Sequence, residues 1–133
     1  MTTRLKLETK GFSEYLERVA QAGKDLDTAA DQALAAGGEI LLAGMQRRVP
    51  KDTHNLEGNL EMTEPQRDGN FHVIEVGLSK KADAETARYG NVQEYGSSSM
   101  AAQPYVRPAL DEDMGKARVA MRQILKKAIG NSE

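Results

Sequence analysis

The sequence predicts an α+β fold: a small antiparallel sheet packed against a long central helix, with a short N-terminal helix and a C-terminal amphipathic helix. Three observations predict it. Period-two alternation at residues 4–8, 59–64 and 71–78 marks half-buried strands. Apolar and small residues then recur at helical spacing from about residue 27 until Pro50, where proline disfavours the α region of the residue before it. A continuous apolar stripe at helical spacing follows Pro108. The chain has 133 residues, without internal repeat or linker, so it reads as one domain over residues 1–133.

The elements follow in order. Arg4-Leu5-Lys6-Leu7-Glu8 alternates as a strand, and Gly11 breaks it. Phe12, Tyr15, Leu16 and Val19 share a helix face, and Gly23-Lys24-Asp25 turns the chain. The long helix starts near Asp27 or Thr28, with Thr28 and Asp31 spaced as a capping box. Its face of Ala30, Ala33, Leu34, Gly37, Leu41, Gly44 and Met45 is small enough for another backbone to approach, either a sheet or an oligomer partner. Residues 51–58 read as a polar loop. Leu60 and Met62 lie on one side of a strand, and Asp68-Gly69-Asn70 is a hairpin signal. Phe71–Leu78 is the clearest strand, with Ile74, Val76 and His72 on one face. Residues 79–88 show no period and read as a flexible loop; Val92–Tyr95 reads as a short strand, and Gly96–Ser99 as a loose loop. Pro104–Pro108 reads as an extended segment locked by proline at both ends. It runs into the last helix, whose stripe is Leu110, Met114, Ala117, Met121, Ile124 and Ala128. Asp111, Glu112 and Asp113 suit the positive end of that helix, and Lys126 and Lys127 its negative end.

Composition narrows the function. Hydrophobic residues are 39%, charged residues 29% and aromatics 5%, with no Trp. The net charge of −2 argues against a dedicated nucleic-acid binder. The absence of cysteine excludes thiol chemistry and disulfide stapling. No run approaches a membrane span, and the N-terminus carries no signal-peptide stretch. A soluble product that starts in the cytoplasm is expected.

No residue pattern points strongly to catalysis. His54 stands near Asp52 and Glu57, the one place where a metal or general-base site, and hence a small hydrolase or nuclease, can be imagined. It lacks the His-x-x-x-His type of spacing. His72 is expected to be a buried, hydrogen-bonded imidazole. Ser97–Ser99 lie in no nucleophile turn, and Gly37-Gly38 precede no phosphate-binding Lys-Ser or Lys-Thr. Lys80, Lys81 and Arg88 read as a solvated face or as a contact for an acidic partner or passing DNA. Arg47-Arg48 suit the end of the long helix. Arg107, held between Tyr105, Val106 and Pro108, is placed for a bidentate pair with a carboxylate, within the domain or on a neighbour. No catalytic residue, cofactor or metal is expected.

Four stretches carry a resemblance: Val49-Pro50 followed by Asp52-Thr53, Asn55-Leu56 and Asn59-Leu60; Val76-Gly77; Val92-Gln93-Glu94-Tyr95-Gly96-Ser97; and Pro104-Tyr105-Val106-Arg107-Pro108-Ala109-Leu110. In this order the chain resembles the neck, or tail-completion, family of long-tailed bacteriophages. One departure is that His54 stands where the family often has Gly. The resemblance implies a non-enzymatic virion protein, made in the host cytoplasm. It would form a homo-oligomeric ring, six-fold like the tail, between head connector or adaptor and tail tube or tail terminator. DNA would pass through without specific binding, and no membrane is involved. It implies contacts at Lys80, Lys81, Arg88, Glu94, Tyr95, Tyr105 and Arg107. A tail terminator or a minor capsid or tail component is the alternative role.

Overall fold

The structure, a computed structural model, describes residues 3–50 and 55–130. The stretch with Asp52 and His54 lies outside the described residues.

The fold is the expected α+β architecture. Strand β1 (Arg4–Glu8) alternates, with Leu5 and Leu7 buried and Lys6 and Glu8 exposed. It pairs antiparallel with β4 (Phe71–Leu78), setting Leu5 opposite Val76 and Leu7 opposite Ile74. Strands β2 (Leu60–Met62) and β3 (Gln66–Asp68) pair antiparallel with β4 on its other side. Met62 faces Val76 but Gln66 faces Val73, so one extra residue bulges between them. Pro65 sits in that bulge, where it removes no ladder hydrogen bond. The Thr63 hydroxyl takes up the slack, accepting from the Glu75 N–H at 2.9 Å. The hairpin from β3 to β4 turns at Gly69, whose φ of +66° lies where glycine alone is unstrained.

A single 3₁₀ turn (Lys10–Phe12) leads into α1 (Ser13–Gln21), which buries Leu16 and Val19. Helix α2 (Leu26–Arg48) starts one or two residues before the expected Asp27 or Thr28. Asp25 is its cap, accepting from the N–H of Asp27 and of Thr28, so the Thr28–Asp31 box is not the cap. Asp31 is engaged elsewhere, by His72. The small-residue face is explained on two sides. A methyl group added at Gly37 would lie 2.9 Å from Met121 and 3.0 Å from Leu7, and Gly38 lies against Met62 and Ile74. Helix α2 therefore touches the sheet and the C-terminal helix at once. Leu34, Leu41, Met45, Ile74, Val76, Met121 and Leu125 meet around it in the core.

Four expectations are corrected. Residues 55–58 are a short helix, α3 (Asn55–Gly58), with Leu56 buried, not loop. Residues 84–95 are neither loop nor strand but one helix, α4 (Ala84–Tyr95). Asp83 caps it, accepting from the Thr86 N–H at 2.7 Å. Gly90 hid the helical pattern; here it admits Leu78, Leu56 and Tyr105 where a side chain would collide. The Pro104–Pro108 segment is not extended: it enters a helical turn, α5 (Val106–Pro108). The chain continues through a π-helical segment (Ala109–Asp113) into α6 (Met114–Ala128). The π segment shifts the phase of the last stripe. Ala109, Asp113, Ala117, Met121 and Leu125 face inward, while Leu110 is 44% exposed. A ridge of four-residue steps therefore packs on the small face of α2. Among the described residues no helix is long and apolar enough to cross a membrane.

Candidate functional site

The most elaborate polar site joins the end of α4 to the start of the C-terminal helix. The chain between them folds back, with the Gln103 N–H donating to the Gln93 carbonyl at 2.6 Å. Glu94, fully buried, then receives successive backbone N–H groups of the incoming helix. Tyr105 and Val106 both donate to Oε1 at 2.8 Å, and Arg107 donates to Oε2 at 3.0 Å. The Arg107 guanidinium adds Nε to Oε2 at 3.1 Å and Nη2 to the Glu94 carbonyl. The same guanidinium lies 5.2 Å from the centre of the Tyr95 ring, in cation–π range.

The physics of this clamp is that of a helix N-terminus. The first N–H groups of a helix have no partner in the helix, and its dipole favours a negative charge there. Capping is normally done by a neighbouring Ser or Asp; here a carboxylate eleven residues upstream does it. Burial pushes the Glu94 carboxyl up, but the N–H groups of Val106, Tyr105 and Arg107 and the guanidinium outweigh it. They hold the group below its ordinary value. Tyr105 is buried beneath, and its hydroxyl donates to the Gly90 carbonyl at 3.4 Å. Burial first, and then the Glu94 charge, push its phenol up.

A second polar cluster ties the same helix to α2. The Arg48 guanidinium donates to Asp113 at 2.7 Å and to Glu112 at 3.0 Å, and Arg47 reaches Asp113 at 3.4 Å. Arg48 holds the buried Asp113 carboxyl below its ordinary value, against burial. Gly44 leaves room for this carboxylate, because a side chain there would overlap Asp113. A third cluster fastens the hairpin. His72 is buried, with Nδ1 3.2 Å from Asp31 and Nε2 3.1 Å from Asp27, and Arg67 reaches Asp27 at 3.3 Å. This matches the expected buried, hydrogen-bonded imidazole.

The expected contact residues fall into two groups. Glu94, Tyr95, Tyr105 and Arg107 come together in the clamp, with Glu94 and Tyr105 interior and only Arg107 and Tyr95 reaching the surface. Of the two partners open to Arg107, the one found is within the domain. Lys80 and Lys81 stand elsewhere, beside the outer face of the sheet. There Arg4 pairs with Glu75 at 2.8 Å and Glu61 at 3.4 Å, and Lys80 approaches Glu75 at 3.8 Å. Arg88 is exposed on α4. Among the described residues no group of His, Asp or Glu is placed to hold a metal ion.

Two features escaped the sequence. The Arg48–Asp113 pair spans 65 positions, and no local signal links its members. A groove lies between β1 and α6, lined by Lys6, Lys10, Arg118 and Arg122 around Phe12, Tyr15 and Met114. Its signal was present: α6 carries Lys116, Arg118, Arg122, Lys126 and Lys127 and no acidic residue.

These features define a class. The buried charged groups Glu94 and Asp113 hold the chain's own segments together, as in a structural domain. The chain belongs to the HK97-gp10-like family, assigned as a bacteriophage tail component, whose model matches residues 10–96. That match runs from the 3₁₀ turn through α4, so the Pro104–Leu110 motif lies beyond it. Comparison with curated proteins and with solved structures finds no match. A tail component is a structural part of the virion and meets other virion proteins there.

Proposed function

We propose that this tail component is the head–tail joining protein of a long-tailed phage. It would form a ring, six-fold like the tail, between the head connector or adaptor and the tail tube or tail terminator, with DNA passing through unbound. The observation that carries the reading is the family match across α1 to α4. The slightly acidic net charge supports a lumen that does not grip DNA. Heterologous contacts that close by rotation make such rings. Lys80, Lys81, Arg88, Tyr95 and Arg107 are the proposed contact positions that reach the surface. Glu94 and Tyr105 would act from the interior, by fixing how Arg107 is presented. Before assembly the protein would reside in the host cytoplasm.

The test is electron microscopy of a lysate from phage with an early stop codon in this gene. Filled heads beside free, finished tails are expected. Tails of uncontrolled length would move the role to tail termination, which tail-component membership equally favours. Normal infectious particles would overturn the structural reading. They would return attention to His54 and Asp52 and a small hydrolase or nuclease, a reading that His54→Ala with every phenotype unchanged would remove.

A further inference from the structure

Among the described residues no further strand pairs with either edge of the sheet, and the two edges carry opposite charge. The order β1-β4-β2 leaves β1 on one edge and the β2–β3 arm on the other. Thr3 and Thr9, which flank β1, are both bonded to β4, through Leu78 N–H to Thr3 O and Thr9 N–H to His72 O. Hydrogen-bonded positions alternate in an antiparallel pair, so the backbone groups of Arg4, Lys6 and Glu8 point to the open side. That side is the basic groove, lined by Lys10, Arg118 and Arg122, by Glu8, and by Lys6, which also stands across from Glu75 on β4. Among the described residues none of the four cations is in an ion pair. The opposite edge is an extended arm in which the exposed Glu64 and Asp68 outnumber the exposed Arg67, while Glu61 is paired with Arg4.

We infer that these edges are the two halves of one contact between copies of this chain. The acidic arm 61–68 of one copy lies along β1 in the basic groove of the next. Unpaired strand edges are templates for strand addition, and charge complementarity selects the register and the partner. The geometry suits a ring. Strands β1 and β2 both run antiparallel to β4 and are therefore parallel to each other. Rotation about an axis along the strands brings the arm of one copy beside β1 of its neighbour without reversing direction. Such a contact uses different surfaces on the two partners, the kind that builds a ring when its rotation closes. Phe12, Tyr15 and Met114 supply the apolar floor of the groove. This inference rests on the ring reading and names its interface.

The test is charge reversal in the full chain, read by sedimentation velocity over a concentration series. The groove variant carries Arg118→Glu and Arg122→Glu; the arm variant carries Glu64→Lys and Asp68→Lys. The wild type should assemble. Each variant alone should need roughly tenfold or more protein to do so, with unchanged circular dichroism. An equimolar mixture should assemble again, because the acidic groove of one accepts the basic arm of the other. Wild-type assembly that neither variant alters, or a mixture that fails to restore it, overturns this interface and leaves the ring standing. A wild type that stays monomeric throughout overturns the ring reading and this interface with it. An intact ring whose groove variant loses only binding to duplex DNA reassigns the groove to phosphate.

Discussion

Removing the Glu94 carboxylate isolates the clamp from everything else. In Glu94→Ala the N–H groups of Tyr105, Val106 and Arg107 lose an acceptor in a site closed to water. Hydrogen bonds to a charged group contribute about 1.5–3 kcal/mol each, though not additively. Breaking one side of a buried ionic arrangement costs about 3–5 kcal/mol. The second figure is the better guide, because the three donors share one carboxylate. For a chain of this size it lowers Tm by roughly 10–20 °C. Glu94→Gln keeps one accepting oxygen and turns an amide N–H₂ toward the other donors, so its loss is smaller but of the same sign.

The pH dependence separates charge from shape. Glu94 has a lowered value in the fold. Its contribution is therefore full above the ordinary glutamate value of 4.5 and is lost as pH falls through the folded value. The Tm gap between wild type and Glu94→Gln should be widest near neutrality and close under acid conditions. The assay is thermal unfolding by circular dichroism across pH. A Glu94→Ala chain that melts within a few degrees of wild type would refute the clamp as a stability element. A gap that does not change with pH would refute the role of the charge.

Further outcomes follow from the same geometry. Arg107→Ala should destabilise by only about 1 kcal/mol, because its guanidinium is half exposed and the backbone donors to Glu94 remain; a loss equal to that of Glu94→Ala in urea unfolding would contradict this. Asp113→Asn should cost about 3 kcal/mol, since Arg48 loses its buried partner. Asp113 is also lowered in the fold, so this cost should fade below the ordinary aspartate value of 3.8 in an acid titration of stability. Gly115→Ala and Gly37→Ala should differ in sign. Nothing lies near a methyl group at Gly115, so helix propensity should stabilise by about 0.5–1 kcal/mol. At Gly37 overpacking against Met121 and Leu7 should destabilise by about 1–3 kcal/mol. Parallel denaturant titrations check both.

The legible parts of the fold were those whose signal is local and periodic. Leu5 and Leu7 on β1, the Asp68–Phe71 hairpin and the face of α2 each repeat within one element, and each stands where its period puts it. Helix α4 was missed although Asp83 and Thr86 announce its start, because Gly90 and Val92 break the pattern from within. Gly90 is unfavourable in an isolated helix and is needed here only because Tyr105 and Leu78 pack against it. Pro104 and Pro108 misled for a related reason. Proline suits an extended segment and the first turn of a helix alike, and the choice was made by a carboxylate on another element.

What the sequence determined by itself was the class of fold and the faces of its most regular elements. Those follow from composition and from periods of two and 3.6, which a short window contains. Only the tertiary structure decided that Glu94 caps a helix eleven residues downstream, that Asp113 turns inward to Arg48, and that the cations of β1 and α6 share one groove. The energy of a buried carboxylate or of a charged groove depends on groups brought close by folding, and their separation along the chain carries no trace of it.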